Sequence, residues 1–183
     1  FKVEDVNSKA SRLDPAKLNW INSHYLKTDA PEAVAKHLAW HMDRAGYDLT
    51  KGPGLTDVVI ALRDRVNTLK EMAERAAVWF QPLMHYDEAA VAKQFVPAAL
   101  LPLQTIRAEL EKLTDWSPAA IHAAMQAAGE KLGLGLGKIG PALRVAITGT
   151  QQSPSIDHTV YLAGRGEALK RIDVALEMLA KRV

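Results

Sequence analysis

Read along the chain, apolar positions recur every three or four residues and mark a series of amphipathic helices. Asp14-Pro15 has the form of an N-cap followed by proline at the first helical position. It opens AKLNWINSHYL, with Leu18, Ile21 and Tyr25 on one face. Pro31 opens a second helix to about Ala45, closed by Gly46. A long helix is predicted from about Asp57 to Phe80, striped by Val58, Leu62, Val66, Leu69, Met72, Ala76 and Phe80. After the Gln81-Pro82 break come a short helix near Asp87 to Lys93 and another aligning Leu103, Ile106, Leu110 and Leu113. Ser117-Pro118 starts a helix that turns Ile121, Met125, Ala128 and Leu132 inward, and the last helix, from about Gly166, stacks Leu169, Ile172, Leu176 and Leu179. Period-two strands, internal repeats and low-complexity tracts are absent from the pattern. The prediction is an all-α fold with a domain seam around Gln81 to Pro97.

Composition narrows this little. The chain has 183 residues, enough for one domain or two small ones, with 48% apolar and 24% charged positions, as in ordinary globular proteins. It has no cysteine, which excludes disulfides and thiolate zinc sites. No apolar run is long enough to span a bilayer, and the charged first thirty residues do not read as a signal peptide. A start at Phe1 is expected of a piece of something longer. The net charge of +2 is uneven: residues 138–183 hold seven Lys or Arg against four acids. A basic end suits a polyanion such as nucleic acid, and equally an ordinary solvated helix face.

Three apparent motifs fail on their physics. GLGKIG, residues 135–140, matches GxGxxG with Asp157 downstream, but the residues before it read as helix, where the dinucleotide turn needs a strand. It reads instead as a helix-to-helix connector. His37 and His41 have the spacing of a metal pair, yet Leu38 stands where zinc proteases carry glutamate and no third ligand is evident. Ser155, Asp157 and His158 are triad residue types, but triads are assembled from distant segments. No catalytic residue and no metal ligand is assigned.

PALRVAITGTQQSPSID, residues 141–157, raises the sharper question. Pro141 suits the first turn of a short helix ending at Gly149, and Ser153-Pro154 repeats the N-cap signal for a helix through Leu162 that Gly164 ends. The loop between would present backbone N–H groups and a positive dipole end, with Arg144 folded alongside. Such a corner suits recognition of unstacked bases and a bent phosphate backbone. It is equally a capped corner between two helices, with an arginine satisfying carbonyls; the residues alone favour neither.

LRVAITGTQQSPSIDHTVYLAG resembles the signature near the C-terminus of bacterial glutamyl-tRNA synthetases, where a "PLR.ALTG" stretch and a Ser/Thr-Pro turn precede the final helices. FKVEDVNSKASRLDPAKLNWINSHYLK is similar to the "KL.W.N..Y" segment that follows the catalytic domain in that family, and LRDRVNTLKEM to its "R.R..TL.E" helix. The resemblance covers essentially the whole chain. It implies the tRNA-body and anticodon-binding portion, a helical cage of two subdomains, residues 1–85 and 86–183, with no cofactor of its own. ATP, Mg2+ and the catalytic domain would lie upstream in the same polypeptide, and the fragment alone would be inactive.

It further implies tRNA(Glu) as partner, chiefly through the anticodon loop, in a cytoplasmic monomer without membrane contact. The second and third anticodon bases would fall to Arg144, Ser153, Pro154, Ser155, Ile156 and Asp157. Asp157 departs from relatives with a large apolar side chain there, and an anion cannot stack like a ring; a place in the helix's first turn suits it better. The first base would fall to Arg63 and Arg65, and the inside of the tRNA bend to Lys9, Arg12 and Lys17. A relaxed enzyme that also charges tRNA(Gln) and a free-standing protein-interaction module are the alternatives.

Overall fold

The computed structural model describes residues 14–182, and Lys9 and Arg12 lie outside them. Among the described residues ten α-helices and no strand are found. The first unit contains α1 (Pro15–Thr28), α2 (Pro31–Arg44), α3 (Leu55–Leu62) and α4 (Leu69–Phe80). The second contains α5 (Glu88–Gln94), α6 (Leu100–Glu111), α7 (Pro118–Leu132), α8 (Leu136–Thr148), α9 (Ile156–Ala163) and α10 (Arg165–Ala180). None of these helices is long and apolar enough to cross a membrane.

Several helix starts follow the local chemistry of the sequence. Asp14 accepts the Ala16 N–H at 3.0 Å, and Ser117 caps α7 by accepting the Ala120 N–H at 3.3 Å. Gly133 ends α7 in the left-handed region, as glycine does at helix C-termini. Two cores result. One gathers Leu38, Met42, Val58, Val59, Leu62 and Met72; the other surrounds Leu103, Ile106, Ile121, Met125, Leu143 and Ile172.

The structure corrects three expectations. The long helix from Asp57 to Phe80 is two helices, α3 and α4, parted at residues 63–68. Thr68 accepts the Glu71 N–H at 3.1 Å, and Glu71 reaches back to the Asn67 N–H at 3.0 Å. This reciprocal capping starts a new helix where the apolar spacing alone would run on. The glycine-rich segment is no connector beyond Gly135: α8 begins at Leu136 and carries Pro141 inside it. Gly140 makes that tolerable, because it offers no Cβ to clash with the following ring. The stripe of Leu18 and Tyr25 on α1 faces outward, 43% and 57% exposed, and only Leu26 of that helix is buried. This helix packs through its last turn rather than along its length.

The two units are fastened where α9 meets α3 and α4. Leu162 of α9 is 2% exposed and belongs to the core of the first unit. The Trp79 indole donates to the Thr159 carbonyl at 3.2 Å, and the Tyr161 hydroxyl donates to Asp57 at 3.1 Å. That bond to a carboxylate is the main reason the Tyr161 phenol is held above its usual range. Arg171, 4% exposed, donates to Ile147 O at 2.7 Å and across the seam to Gln81 O at 3.3 Å. Burial of an arginine is sustained only by such full use of its donors, here completed by Glu167 at 2.8 Å.

Candidate nucleic-acid interface

The corner after α8 is built by hydrogen bonds within the loop and by one from the distant Asp87. Gly149 ends the helix at φ +73°, and its carbonyl accepts the Asp87 N–H at 2.8 Å. Thr148 Oγ1 donates to the Arg144 carbonyl at 2.9 Å, and Thr150 Oγ1 to the Gln152 carbonyl at 3.0 Å, which folds the loop back. Arg144 then grips the far side of the loop. Its Nη1 donates to Ser153 O at 3.1 Å, to Pro154 O at 2.6 Å and to Ser153 Oγ. Nε and Nη2 of the same guanidinium take no partner among the described residues.

Ser153 is therefore not the helix cap that the sequence suggested. Its hydroxyl is engaged by Arg144 and by Thr159 Oγ1, 2.9 Å away, and α9 starts later, with Ser155 at the N-cap. Asp157 occupies the first turn of α9, as expected of an anion at a positive dipole end. Partial burial alone would raise its carboxyl, but hydrogen bonds from Ser155 and from the backbone and ring of His158 outweigh that and hold it below the usual range.

Ser155, Asp157 and His158 do come together, but not as a triad. Ser155 Oγ lies 3.0 Å and Asp157 Oδ1 3.4 Å from one and the same nitrogen, His158 Nδ1. Relay catalysis needs the nucleophile on one ring nitrogen and the carboxylate on the other.

A cavity of about 450 Å³ opens over this corner, lined by Arg65, Arg75, Arg144, Gln151, Gln152 and the turn Ser153 to Ser155. No acidic side chain lines it. It draws on both units, since Arg65 lies between α3 and α4, Arg75 on α4 and Arg144 on α8. Burial and, after it, the positive field of Arg65 lower the pKa of Arg144 from its ordinary value. Arg75 is steered by Glu71 at 2.8 Å. The cavity adjoins a groove of about 530 Å³ that shares Arg65 and Arg75 with it and continues over Leu62, Val78, Leu83 and Met84. Met84 is 75% exposed there. Cationic donors at one end and apolar surface at the other can hold a phosphate and a splayed base respectively.

Of the residues the sequence pointed to, Arg65, Arg144, Ser153, Pro154 and Ser155 meet in this one cavity. Arg63, Ile156 and Asp157 do not line it; Ile156 packs against the second core. Arg75 was missed, because a Glu71–Arg75 pair at i, i+4 reads as an ordinary surface bridge. His37 and His41 do face one cavity together, with Tyr25 and Lys70. Among the described residues no three His, Asp or Glu side chains converge as metal ligands, and GLGKIG is wound largely into α8. That segment therefore forms no nucleotide cradle of the glycine-loop kind.

The chain has relatives among known proteins. The chain is 57% identical over 176 residues to a glutamate–tRNA ligase of Xanthomonas campestris pv. campestris strain B100, covering 96% of this chain and 38% of that protein. It is 55% identical over 180 residues to the glutamate–tRNA ligase of Stenotrophomonas maltophilia strain R551-3, again 38% of the relative's length. The chain thus spans well under half of the curated relatives it matches. In fold it is similar to the crystal structure of a glutamate tRNA ligase from Elizabethkingia meningosepticum CCUG26117, with TM-score 0.82 and 22% identity over 98% of this chain and 35% of that one. A glutamate-tRNA synthetase of Elizabethkingia anophelis gives TM-score 0.79 at 22% identity, covering 97% of this chain and 34% of that one. The family model described as anticodon binding domain matches residues 32–176, most of the chain, and to that family this protein belongs.

Proposed function

We propose that this chain is the anticodon-binding portion of a cytoplasmic glutamate–tRNA ligase. It grips tRNA(Glu) chiefly at the anticodon loop, as a monomer. A catalytic domain upstream in the same polypeptide, supplied with ATP and magnesium, attaches the glutamate. The observation that carries this reading is the convergence of Arg65, Arg75 and Arg144 on one cavity free of acids, beside an apolar groove. Three guanidiniums, of which Arg75 is paired with Glu71 outside the cavity, suit an anionic ligand, and planar bidentate donors suit base edges. The division near residue 85 separates two helical subdomains that supply opposite walls, a reading supported by the two distinct cores.

Arg144 has two duties in this reading. Nη1 holds the turn, and the remaining nitrogens face the ligand. Ser153 and Pro154 shape the wall, and Ser155 adds an exposed hydroxyl at the rim. Arg144→Ala is expected to weaken discrimination between anticodons by about 1–3 kcal/mol while the helical content stays intact.

The test is binding of this chain to tRNA(Glu) and to a copy altered only at the third anticodon base, at two salt concentrations. Phosphate attraction falls steeply with salt, whereas base readout persists. A preference for the natural anticodon at both salts, reduced in Arg144→Ala, supports a reader. Equal, salt-labile binding of both RNAs overturns it.

A further inference from the structure

The arginine cavity is not the end of the cationic surface. On the outer side of α2, Trp40 is 58% exposed, with the Arg44 guanidinium 5.3 Å from its ring centroid and the His41 ring edge-on at 4.8 Å. Between α2 and α4 these side chains and Lys70 line a cavity of about 410 Å³. It shares Lys70 and His41 with the cavity beneath Tyr25 and His37, and shares Glu74 with the groove that leads to Arg65, Arg75 and Met84. Cavities that share their walls form one track, running from α1 and α2 along α4 to the Arg144 corner. Asp29 lines the α1 end of this track, and the acid between α2 and α4 is Glu74. It meets Lys70 at 4.0 Å, with both side chains largely exposed, a loose pair of little worth in water.

We propose that Trp40, Arg44 and Lys70 form a second RNA-contact site, which holds the sugar–phosphate backbone of the same RNA whose loop enters the arginine cavity. The proposal rests on the anticodon-loop reading above. A large aromatic surface left in water beside an arginine and a lysine is the composition of backbone-tracking sites, where the ring supports a cation or a base and the cations meet phosphate. A protein partner would be better served by an apolar patch with few fixed charges. Here charge complementarity and continuity with the arginine cavity select a polyanion. Trp40 is a positioning residue in this site: its face keeps Arg44 extended along the track.

The test uses the whole chain and full-length tRNA(Glu), natural and altered at the third anticodon base, with affinity measured across a salt series. Arg44→Gln is expected to reduce the slope of log affinity against log salt by about one unit, with equal loss for both RNAs. Arg44→Lys keeps the charge and should keep the slope. Trp40→Ala should reproduce the Arg44→Gln slope, and Trp40→Phe should restore it. Both positions are exposed, and circular dichroism checks that the variants fold. Wild-type affinity and slope in Arg44→Gln and Trp40→Ala would overturn the proposal, as would self-association lost in these variants while RNA binding stays unchanged. Failure of base reading shows separately, as absence of anticodon preference in the unmodified chain.

Discussion

Single side chains in this protein carry more than one duty, and that decides what their substitution does. Asp157 shows it through pH. Its folded carboxyl lies below the ordinary aspartate value of 3.8, so the folded state favours the ionised form. The stabilisation is complete above that value and is lost as pH falls through the folded one. Asp157→Asn is therefore expected to lose less stability than the natural chain as pH falls below 3.8, read by denaturant titration at each pH. Legibility at this scale was uneven. Arg144 stands out in the sequence because it lies next to a glycine-ended helix and a Ser-Pro turn. Its use of Nη1 as a brace on Ser153 and Pro154 does not stand out, since a guanidinium that holds carbonyls and one that awaits a ligand are the same letter. Arg65 and Arg75 were harder still. Ten residues apart on one continuous helix they would sit about 80° apart around the axis. In the fold Arg65 lies in the break between α3 and α4 and Arg75 on α4, and both line one cavity.

At the scale of the element, caps determined what spacing could not. Asp14 and Ser117 begin their helices as the sequence suggested. Val66 and Leu69 keep the three-or-four rhythm across the α3–α4 break, so periodicity reported one helix, while the Thr68-x-x-Glu71 capping signal recorded two. At Ser153 the reverse held: the cap signal was present, but Arg144 and Thr159 had already engaged the hydroxyl. The end of α8 is the most constrained of these junctions. A Cβ on Gly149 would lie 2.5 Å from His85 O, at a backbone angle that side chains rarely adopt. Gly149→Ala is expected to cost about 1–3 kcal/mol, seen as a lowered denaturation midpoint, and to loosen the corner that Asp87 ties down.

In the whole molecule, the groove has one wall from each unit, so its shape depends on the fastening between them. Leu162 is the clearest test, because its side chain from α9 completes the other unit's core. Leu162→Ala is expected to destabilise the chain by about 2–5 kcal/mol and to broaden or split its thermal unfolding. The all-α class and the glycine that ends α8 were legible in sequence. The crossing of Leu162 was not, since a buried leucine does not announce which core receives it. The corner also separates what is fixed from what is free. Gly149, Arg144, Ser153 and Thr159 are tied to the fold, whereas Gln151 and Gln152 stand exposed on the cavity wall between them. Selection can therefore explore these two positions with little risk to the scaffold. On the reading proposed above these two positions form a two-letter window on nucleotide choice, and a library randomised there should remain folded while its ligand choice diversifies.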